Sequence, residues 1–149
     1  MAGTYTQLYI HVVFAVKGRQ ALLNPDWRKE LFSYISGIIS AKGHKSIIVN
    51  GVSDHVHILL GMKPSIALSD IVRDIKNNSS KFINEKNPLK NRFEWQAGYG
   101  AFTYSHSQLS KIYRYMQDQE RHHQKWGFRE EYVDLLQHFD IAYDKRYIG

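Results

Sequence analysis

A nearly continuous run of β-branched and aromatic residues, YTQLYIHVVFAV at positions 5–16, is typical of a strand buried on both faces. A helix is predicted in NPDWRKELFSYISGIISAKG, where Asn24 can cap the first turn, Pro25 suits the first helical position and Gly43 ends the helix. HKSIIVNGV and HVHILLGM, joined by turn residues at 50–54, predict an antiparallel hairpin. A strand, a helix and a hairpin in this order leave few possible folds.

The second half of the chain continues the alternation. A second helix is predicted from Ser65 to about Asn84, and the segment FEWQAGYGAFTYS predicts a fourth strand that Gly98 and Gly100 interrupt. SQLSKIYRYMQDQERHHQK predicts a third helix, and YVDLLQHF a short final one. The order β-α-β-β-α-β-α indicates an α+β protein with a ferredoxin-like split βαβ fold. We expect an antiparallel sheet with helices on one face plus a tyrosine-bearing C-terminal helix, in one domain spanning residues 1–149.

Composition limits the function classes. The 149-residue chain can build one substantial core, and its lack of cysteine excludes disulfides, thiol nucleophiles and thiolate zinc sites. Neither a signal-peptide pattern nor a bilayer-spanning apolar stretch is present, so a cytoplasmic protein without a membrane partner is expected. Twenty Lys and Arg against fourteen Asp and Glu give a net charge of +6. This balance favours a polyanionic partner, nucleic acid ahead of an acidic membrane surface.

Two histidines stand one residue apart in the predicted strand DHVHILL. Because side chains alternate along a strand, His55 and His57 project to the same face and share one site. Two imidazoles on a rigid strand can hold a cation between them, although a metal site needs further ligands. The alternative is a pair of hydrogen-bonded histidines with a structural role.

The third predicted helix offers two tyrosine and glutamine pairs four residues apart, Tyr113 with Gln117 and Tyr115 with Gln119. Either pair could supply a phenol nucleophile and an amide oxygen for a metal. A stripe at helical spacing predicts that Tyr113 packs into the core, and it comprises Leu109, Ile112, Tyr113 and Met116. Tyr115 falls at the flank of this stripe, where it can point into a cleft or remain a surface tyrosine.

Four segments together resemble a known family, the small HUH transposases with a single catalytic tyrosine, including the relatives associated with REP sequences. DHVHILL resembles the HUH motif, with Val56 as its hydrophobic middle residue, and YMQDQ resembles the family's tyrosine and glutamine segment. HVVFAVKGRQ and GYGAFTYS are also similar to the family, so that the resemblance covers nearly the whole chain.

The resemblance implies a role for each matching residue. Tyr115 would be the nucleophile, Tyr113 a neighbour, and His55, His57 and Gln119 the metal ligands. The implied cofactor is Mg²⁺ or Mn²⁺, whereas imidazole ligands alone favour zinc or another transition metal. The implied reaction forms a 5′-phosphotyrosine link and a free 3′-hydroxyl on single-stranded DNA, at hairpin ends of a bacterial mobile element. The family also implies a homodimer, in which the tyrosine helix of one subunit can complete the other subunit's site.

Other residues have weaker predictions. For His122 and His123, a favourable position near the end of a helix is preferred to a DNA or metal contact. His11 is predicted to be an interior histidine of the sheet. Four basic residues are candidates for phosphate contacts or for a solvated basic face: Lys63, Arg73, Lys76 and Lys81. Three aromatic residues could stack on bases or belong to the core: Tyr99, Phe102 and Tyr104.

Three alternative functions follow from the same sequence. A nuclease with the same histidines could use water in place of the tyrosine, and a domesticated relative could process chromosomal repeats. A non-catalytic domain that binds single-stranded nucleic acid could share the βαββαβ plan. GYGAFTYS only partly matches the strand motif of such domains, which would leave the histidine pair and Tyr115 without a role.

Overall fold

Strand β1 (Tyr9–Ala15) lies between two antiparallel neighbours in a four-stranded sheet of order β2-β3-β1-β4. The computed structural model describes residues 3–86 and 91–148. The other strands are β2 (Lys45–Val52), β3 (His55–Gly61) and β4 (Gly100–Tyr104). The helices are α1 (Arg28–Ala41), α2 (Leu68–Lys86), α3 (Leu109–Gln117), α4 (Gln119–His122) and α5 (Phe128–His138). This arrangement confirms the predicted α+β, split βαβ class.

Alternation along β1 divides the molecule into two packed layers. One set of side chains, with Val12 at its centre, packs against α1 and α2 in the main core. The opposite set, which includes His11 and Val13, faces α3 and α5. The sheet therefore has α1 and α2 on one face, and the segment that carries the tyrosine covers the other.

Several boundaries differ from the predicted ones. Asn24 does head a turn, in which its side-chain oxygen accepts a hydrogen bond from the Asp26 backbone, but α1 begins only at Arg28. Gly43 adopts a left-handed φ of 89° just after α1, which suits glycine. Of the predicted fourth strand, Gly100–Tyr104 forms β4, whereas Trp95, earlier in the same segment, makes only an isolated bridge to Val16.

The predicted third helix is two helices. α3 ends at Gln117 and α4 begins at Gln119, with Asp118 between them. The prediction of one continuous helix was wrong because the pattern of residues does not show the break. The side-chain amide of Asn50, on β2, donates to the carbonyl oxygen of Met116 at 2.7 Å. This contact satisfies a carbonyl in the last turn of α3 and ties the helix to the sheet.

Within residues 3–86 and 91–148, no helix combines the length and the apolar character needed to cross a membrane. The predicted single domain of residues 1–149 includes positions outside the described ones, and it stays a prediction.

Candidate active site

β3 presents the histidine pair on the face that α3 and α5 cover. His55 and His57 both have no exposed surface. Behind each ring lies a hydrogen-bonding partner: Nδ1 of His55 is 2.7 Å from Asp54 Oδ1, and Nδ1 of His57 is 2.7 Å from His11 Nε2. Both Nδ1 atoms are thus occupied, and both Nε2 atoms point into a shared site. The alternation of the strand had predicted this common face.

Tyr115 reaches the same site from α3. Its ring centroid lies 6.0 Å from that of His57, and its side chain is only half buried. Tyr113 instead is exposed, as is Gln117, so the prediction that Tyr113 packs into the core was wrong. The buried positions of this segment are Ile112, Met116 and Gln119. These three residues also have helical spacing. Which set of residues is buried, this one or the predicted stripe with Tyr113, depends on where the sheet lies.

Gln119 is fully buried at the start of α4. Its side-chain oxygen lies 3.3 Å from His55 Nε2, and its amide nitrogen donates to Glu131 Oε2 at 3.1 Å. The structure therefore brings together the four residues that the sequence singled out, namely His55, His57, Tyr115 and Gln119.

Glu131, on α5, lies at the centre of the site and was not predicted. It is 1% exposed, and its Oε1 atom lies 3.1 Å from His55 Nε2 and 2.9 Å from His57 Nε2. The Tyr115 hydroxyl donates a hydrogen bond to its other oxygen, Oε2. One carboxylate thus contacts both the histidine pair and the tyrosine.

His122 and His123, beyond the tyrosine, both contact residues of the site. His123 lies at the end of α4, as predicted, and its Nε2 atom also lies 3.0 Å from Glu131 Oε1. The His122 ring packs edge-on against the Tyr115 ring, with 4.7 Å between centroids. Both histidines therefore border the site.

Four side chains offer a coherent set of metal-binding atoms. One ligand atom from each of His55, His57, His123 and Glu131 lies within 4.8 Å of the others. Three imidazoles and a carboxylate are common ligands of divalent transition metals. The donor chemistry and the mutual distances fit a divalent ion.

The protonation of the histidine pair depends on burial and on neighbouring carboxylates. Burial acts to lower the pKa of His55, but hydrogen bonds to Asp54 and Glu131 outweigh it and raise the pKa above its ordinary value. At His57 burial prevails, and the pKa lies below its ordinary value despite the attraction of Glu131. His55 thus favours its protonated form and His57 its neutral form, because only His55 has a second carboxylate partner.

The tyrosine and the carboxylate have opposite shifts. Burial raises the pKa of Tyr115 well above its ordinary value, and the Glu131 carboxylate raises it further. Burial also acts to raise the pKa of Glu131, but the surrounding histidines, His57 foremost, hold it well below its ordinary value. At neutral pH the site contains an ionised Glu131 and a neutral Tyr115 hydroxyl that donates to it.

Residues 4–119 match the model of a family described as "Transposase IS200 like". The chain belongs to this family. The transposase is therefore an enzyme that processes DNA, and the resemblance of its motifs to single-tyrosine HUH transposases is confirmed. The family match ends at Gln119, so His123 and Glu131 lie beyond it.

Two relatives support the assignment over most of the chain. The transposase is 28% identical over 122 residues to the ISDra2 transposase TnpA of Deinococcus radiodurans, covering 78% of this chain and 87% of the relative. It is 27% identical over 124 residues to the transposase for insertion sequence element IS200 of Salmonella typhimurium, covering 80% of this chain and 81% of the relative.

Two solved structures share the fold. A putative transposase from Deinococcus radiodurans superposes with a TM-score of 0.63 at 24% identity, covering 80% of this chain and 95% of the other. A REP-associated tyrosine transposase bound to a REP hairpin gives a TM-score of 0.61 at 13% identity, covering 83% and 73% respectively. At these identities the likeness shows the common fold.

The basic residues predicted to contact DNA do not converge on this site. All four lie on α2 or just before it, and α2 packs on the opposite face of the sheet. Lys76 donates to the carbonyl oxygens of Gln96 and Gly98 at 2.8 and 2.6 Å, and Arg73 pairs with Asp70 at 3.1 Å. Lys63 and Lys81 are exposed. A DNA contact by any of the four stays a prediction.

Four further predicted residues lie in the sheet or just before β4. His11 is fully buried, as predicted for an interior histidine, and it lies on the active-site face. Phe102 is buried in the core, while Tyr104 is half buried with its hydroxyl 3.4 Å from His11 Nδ1. Tyr99 is the exposed one of the three aromatic residues, with 37% of its surface accessible.

One signal in the sequence could have identified Glu131. Phe128, Glu131 and Leu135 follow the spacing of a single helical face, and all three are buried. An acidic residue in an apolar row is rarely buried without a partner. The sequence alone, however, does not show which partner α5 meets.

Proposed function

We propose that this transposase cleaves and rejoins single-stranded DNA through a covalent tyrosine intermediate, for excision and insertion of a mobile element. The observation that carries the proposal is the position of the Tyr115 hydroxyl in one site with the Nε2 atoms of His55 and His57. A nucleophile adjacent to potential metal ligands is the arrangement that phosphoryl transfer requires.

In the proposed reaction Tyr115 Oη attacks the phosphorus of a DNA phosphodiester. The Oη–P bond forms as the bond from phosphorus to the 3′ oxygen breaks, which leaves a 5′-phosphotyrosine and a free 3′-hydroxyl. The phenol loses one proton and the 3′ oxygen gains one, so the step is balanced. Because the link to the tyrosine preserves the energy of the phosphodiester, a 3′-hydroxyl can later attack it and rejoin the strands without ATP.

A divalent metal ion would polarise a phosphate oxygen and neutralise charge that develops in the transition state. The family resemblance implies His55, His57 and Gln119 as the ligands, with Mg²⁺ or Mn²⁺ as the ion. Burial holds the rings of both histidines in place, and the contacts to Asp54 and His11 direct their Nε2 atoms inward.

A DNA hairpin is the proposed partner. The net charge of +6 favours a polyanion, and a structural neighbour is described as bound to a REP hairpin. A homodimer is also proposed, in which Tyr115 lies in the site of its own chain.

The direct test uses labelled single-stranded DNA carrying hairpin ends of an IS200-like element. After incubation with the divalent ion, a denaturing gel should show the wild-type protein covalently attached to DNA. Tyr115→Phe should abolish both the adduct and cleavage while retaining DNA binding. Tyr113→Phe is the matched control, since it removes an exposed hydroxyl from the same helix.

Two outcomes would contradict the proposal. Cleavage by Tyr115→Phe would indicate a nuclease that uses water. Binding of single-stranded DNA by the wild-type protein without any adduct or cleavage would favour a non-catalytic nucleic-acid-binding domain.

A further inference from the structure

We propose that Glu131 joins the metal centre to the nucleophile. Its Oε1 atom and His123 Nε2 act as ligands beside His55 and His57, in place of Gln119, and its Oε2 atom positions the Tyr115 hydroxyl. The nucleophilic role of Tyr115 rests on the proposed function, whereas the metal site stands on its own geometry. Both Glu131 and His123 lie beyond the part of the chain that matches the family.

The contacts of Oε1 support its role as a ligand. This oxygen lies 3.1, 2.9 and 3.0 Å from the Nε2 atoms of His55, His57 and His123, respectively. His55 and His57 present the same nitrogen because Asp54 and His11 occupy the opposite side of each ring. Three imidazole nitrogens directed at one carboxylate oxygen are far more specific than a chance cluster of polar residues.

The contacts of Oε2 support its positioning role. It accepts hydrogen bonds from the Tyr115 hydroxyl and from the Gln119 side-chain amide, the latter at 3.1 Å. Gln119 thereby fixes the carboxylate orientation, so that one oxygen faces the histidines and the other faces the tyrosine. The nucleophile is held at a set distance from the ligand atoms through a single side chain.

Burial indicates that this arrangement serves more than stability. Glu131 is 1% exposed on a helix face whose neighbours Phe128 and Leu135 are buried apolar residues. Burying an ion is expensive even when it is paired, and an apolar residue in its place is often equally stable. A carboxylate at this position is therefore explained by ligand binding better than by packing.

The ligand set also indicates the class of metal. Imidazole-rich sites suit Zn²⁺, Co²⁺ and related transition ions, while Mg²⁺ prefers oxygen ligands and retains water. We therefore expect Mn²⁺, Co²⁺ or Zn²⁺ to bind more tightly than Mg²⁺. The chain has no cysteine, so a Co²⁺ spectrum will contain no thiolate contribution.

The test measures metal binding without DNA. Metal-free protein is titrated with Co²⁺, and visible absorption and calorimetry give the stoichiometry and affinity. Wild type should bind one Co²⁺ per chain. Glu131→Gln and His123→Ala should each weaken binding by at least the roughly 10–100-fold typical of losing an outer-shell partner, and should change the Co²⁺ absorption. Glu130→Gln, at the exposed neighbouring position, is the matched control and should bind as wild type does.

Circular dichroism and a thermal melt establish that each variant is folded, and His123→Ala gives an independent answer where Glu131→Gln does not fold. Unchanged Co²⁺ affinity and absorption in a folded Glu131 or His123 variant would overturn the ligand assignment. Faster adduct formation by Glu131→Ala than by wild type would also overturn the proposal, because it would show that the carboxylate of wild type blocks the site. Failure of the proposed function is detected separately, by the denaturing gel that compares DNA adduct formation by wild type and by Tyr115→Phe.

Discussion

The Nε2 atom of His57 lies 2.9 Å from Oε1 of Glu131, although 74 positions separate the two residues in the chain. This contact joins the central strand of the site to the last long helix. It also places the predicted histidine pair, the tyrosine and the unpredicted acid in one buried network.

His11 should control the orientation of His57. Its Nε2 atom lies 2.7 Å from His57 Nδ1, and both rings are fully buried. His11→Phe fills the space but leaves Nδ1 of His57 unpaired, which should cost about 1–3 kcal/mol of stability. Metal affinity should also fall roughly tenfold or more, since the ligand ring loses its orientation. Denaturant unfolding and Co²⁺ titration measure the two effects, with exposed His138→Ala as the control.

If His11→Phe retained wild-type affinity for Co²⁺ in a folded protein, the hydrogen bond would have no part in orienting the ligand.

Asp54→Asn should make the stability of the metal-free protein depend less on pH. The pKa of His55 is raised above its ordinary value of 6.5 with the help of the Asp54 hydrogen bond. Because the pKa of His55 is higher in the folded protein than in the unfolded chain, protonation of His55 stabilises the fold. This stabilisation is complete below about pH 6.5 and is lost as the pH rises through the pKa of the folded protein. We therefore expect Asp54→Asn to cost about 1.5 kcal/mol at pH 6 and clearly less at pH 9.

Urea unfolding at the two pH values, in the presence of a chelator, provides the measurement. The pKa of Asp54 itself is lowered from 3.8, so its own titration does not contribute in this range. An equal loss at both pH values would show that His55 does not gain its proton affinity from Asp54.

Gly100→Ala should displace α5 from the sheet. A Cβ atom at this position would lie 2.7 Å from Tyr132 Cε1 and 3.1 Å from Val13 Cγ1. Overpacking of this kind costs typically about 1–3 kcal/mol, and movement of Tyr132 would shift Glu131 beside it. Both thermal stability and Co²⁺ affinity should fall. Gly37→Ala is the control, because nothing lies within 4 Å of the added atom and alanine favours the α1 helix.

A fall in stability with unchanged Co²⁺ affinity would show that the ligand position of Glu131 tolerates movement of α5.

The active site should assemble within one chain. Asn50 donates to the Met116 carbonyl of α3 at 2.7 Å, and the Tyr115 hydroxyl contacts Glu131 of the same chain. A mixture of Tyr115→Phe and His55→Ala proteins should therefore form no more DNA adduct than the two variants do separately. Recovery of adduct in the mixture would demonstrate exchange of α3 between subunits. The Asn50→Ala substitution, which frees the end of α3, should then increase that recovery.

The sequence was sufficient to predict how two residues lie relative to each other where both belong to one strand or one helical segment. Alternation along a strand places His55 and His57 on one face whatever the rest of the chain does. Four-residue spacing likewise relates Tyr115 to Gln119, which stay neighbours although the helix breaks at Asp118. The order of strands and helices similarly restricted the fold to the observed class.

Helical periodicity was not sufficient to choose the buried face of α3. The row that includes Tyr113 and the row that includes Gln119 both have helical spacing. The sheet buries the second row and leaves Tyr113 exposed. The same limit applies to α2, because its basic residues could not be assigned to a face of the sheet before the packing was known.

Local sequence thus determined the order of strands and helices along the chain, the shared face of the histidine pair and the four-residue spacing of Tyr115 and Gln119. Only the tertiary structure decided that α5 folds back to place Glu131 among three histidines, and that His123 joins them. The physical reason is that these contacts join residues on separate elements. Their distances depend on how the buried faces of those elements pack together, which no local pattern specifies.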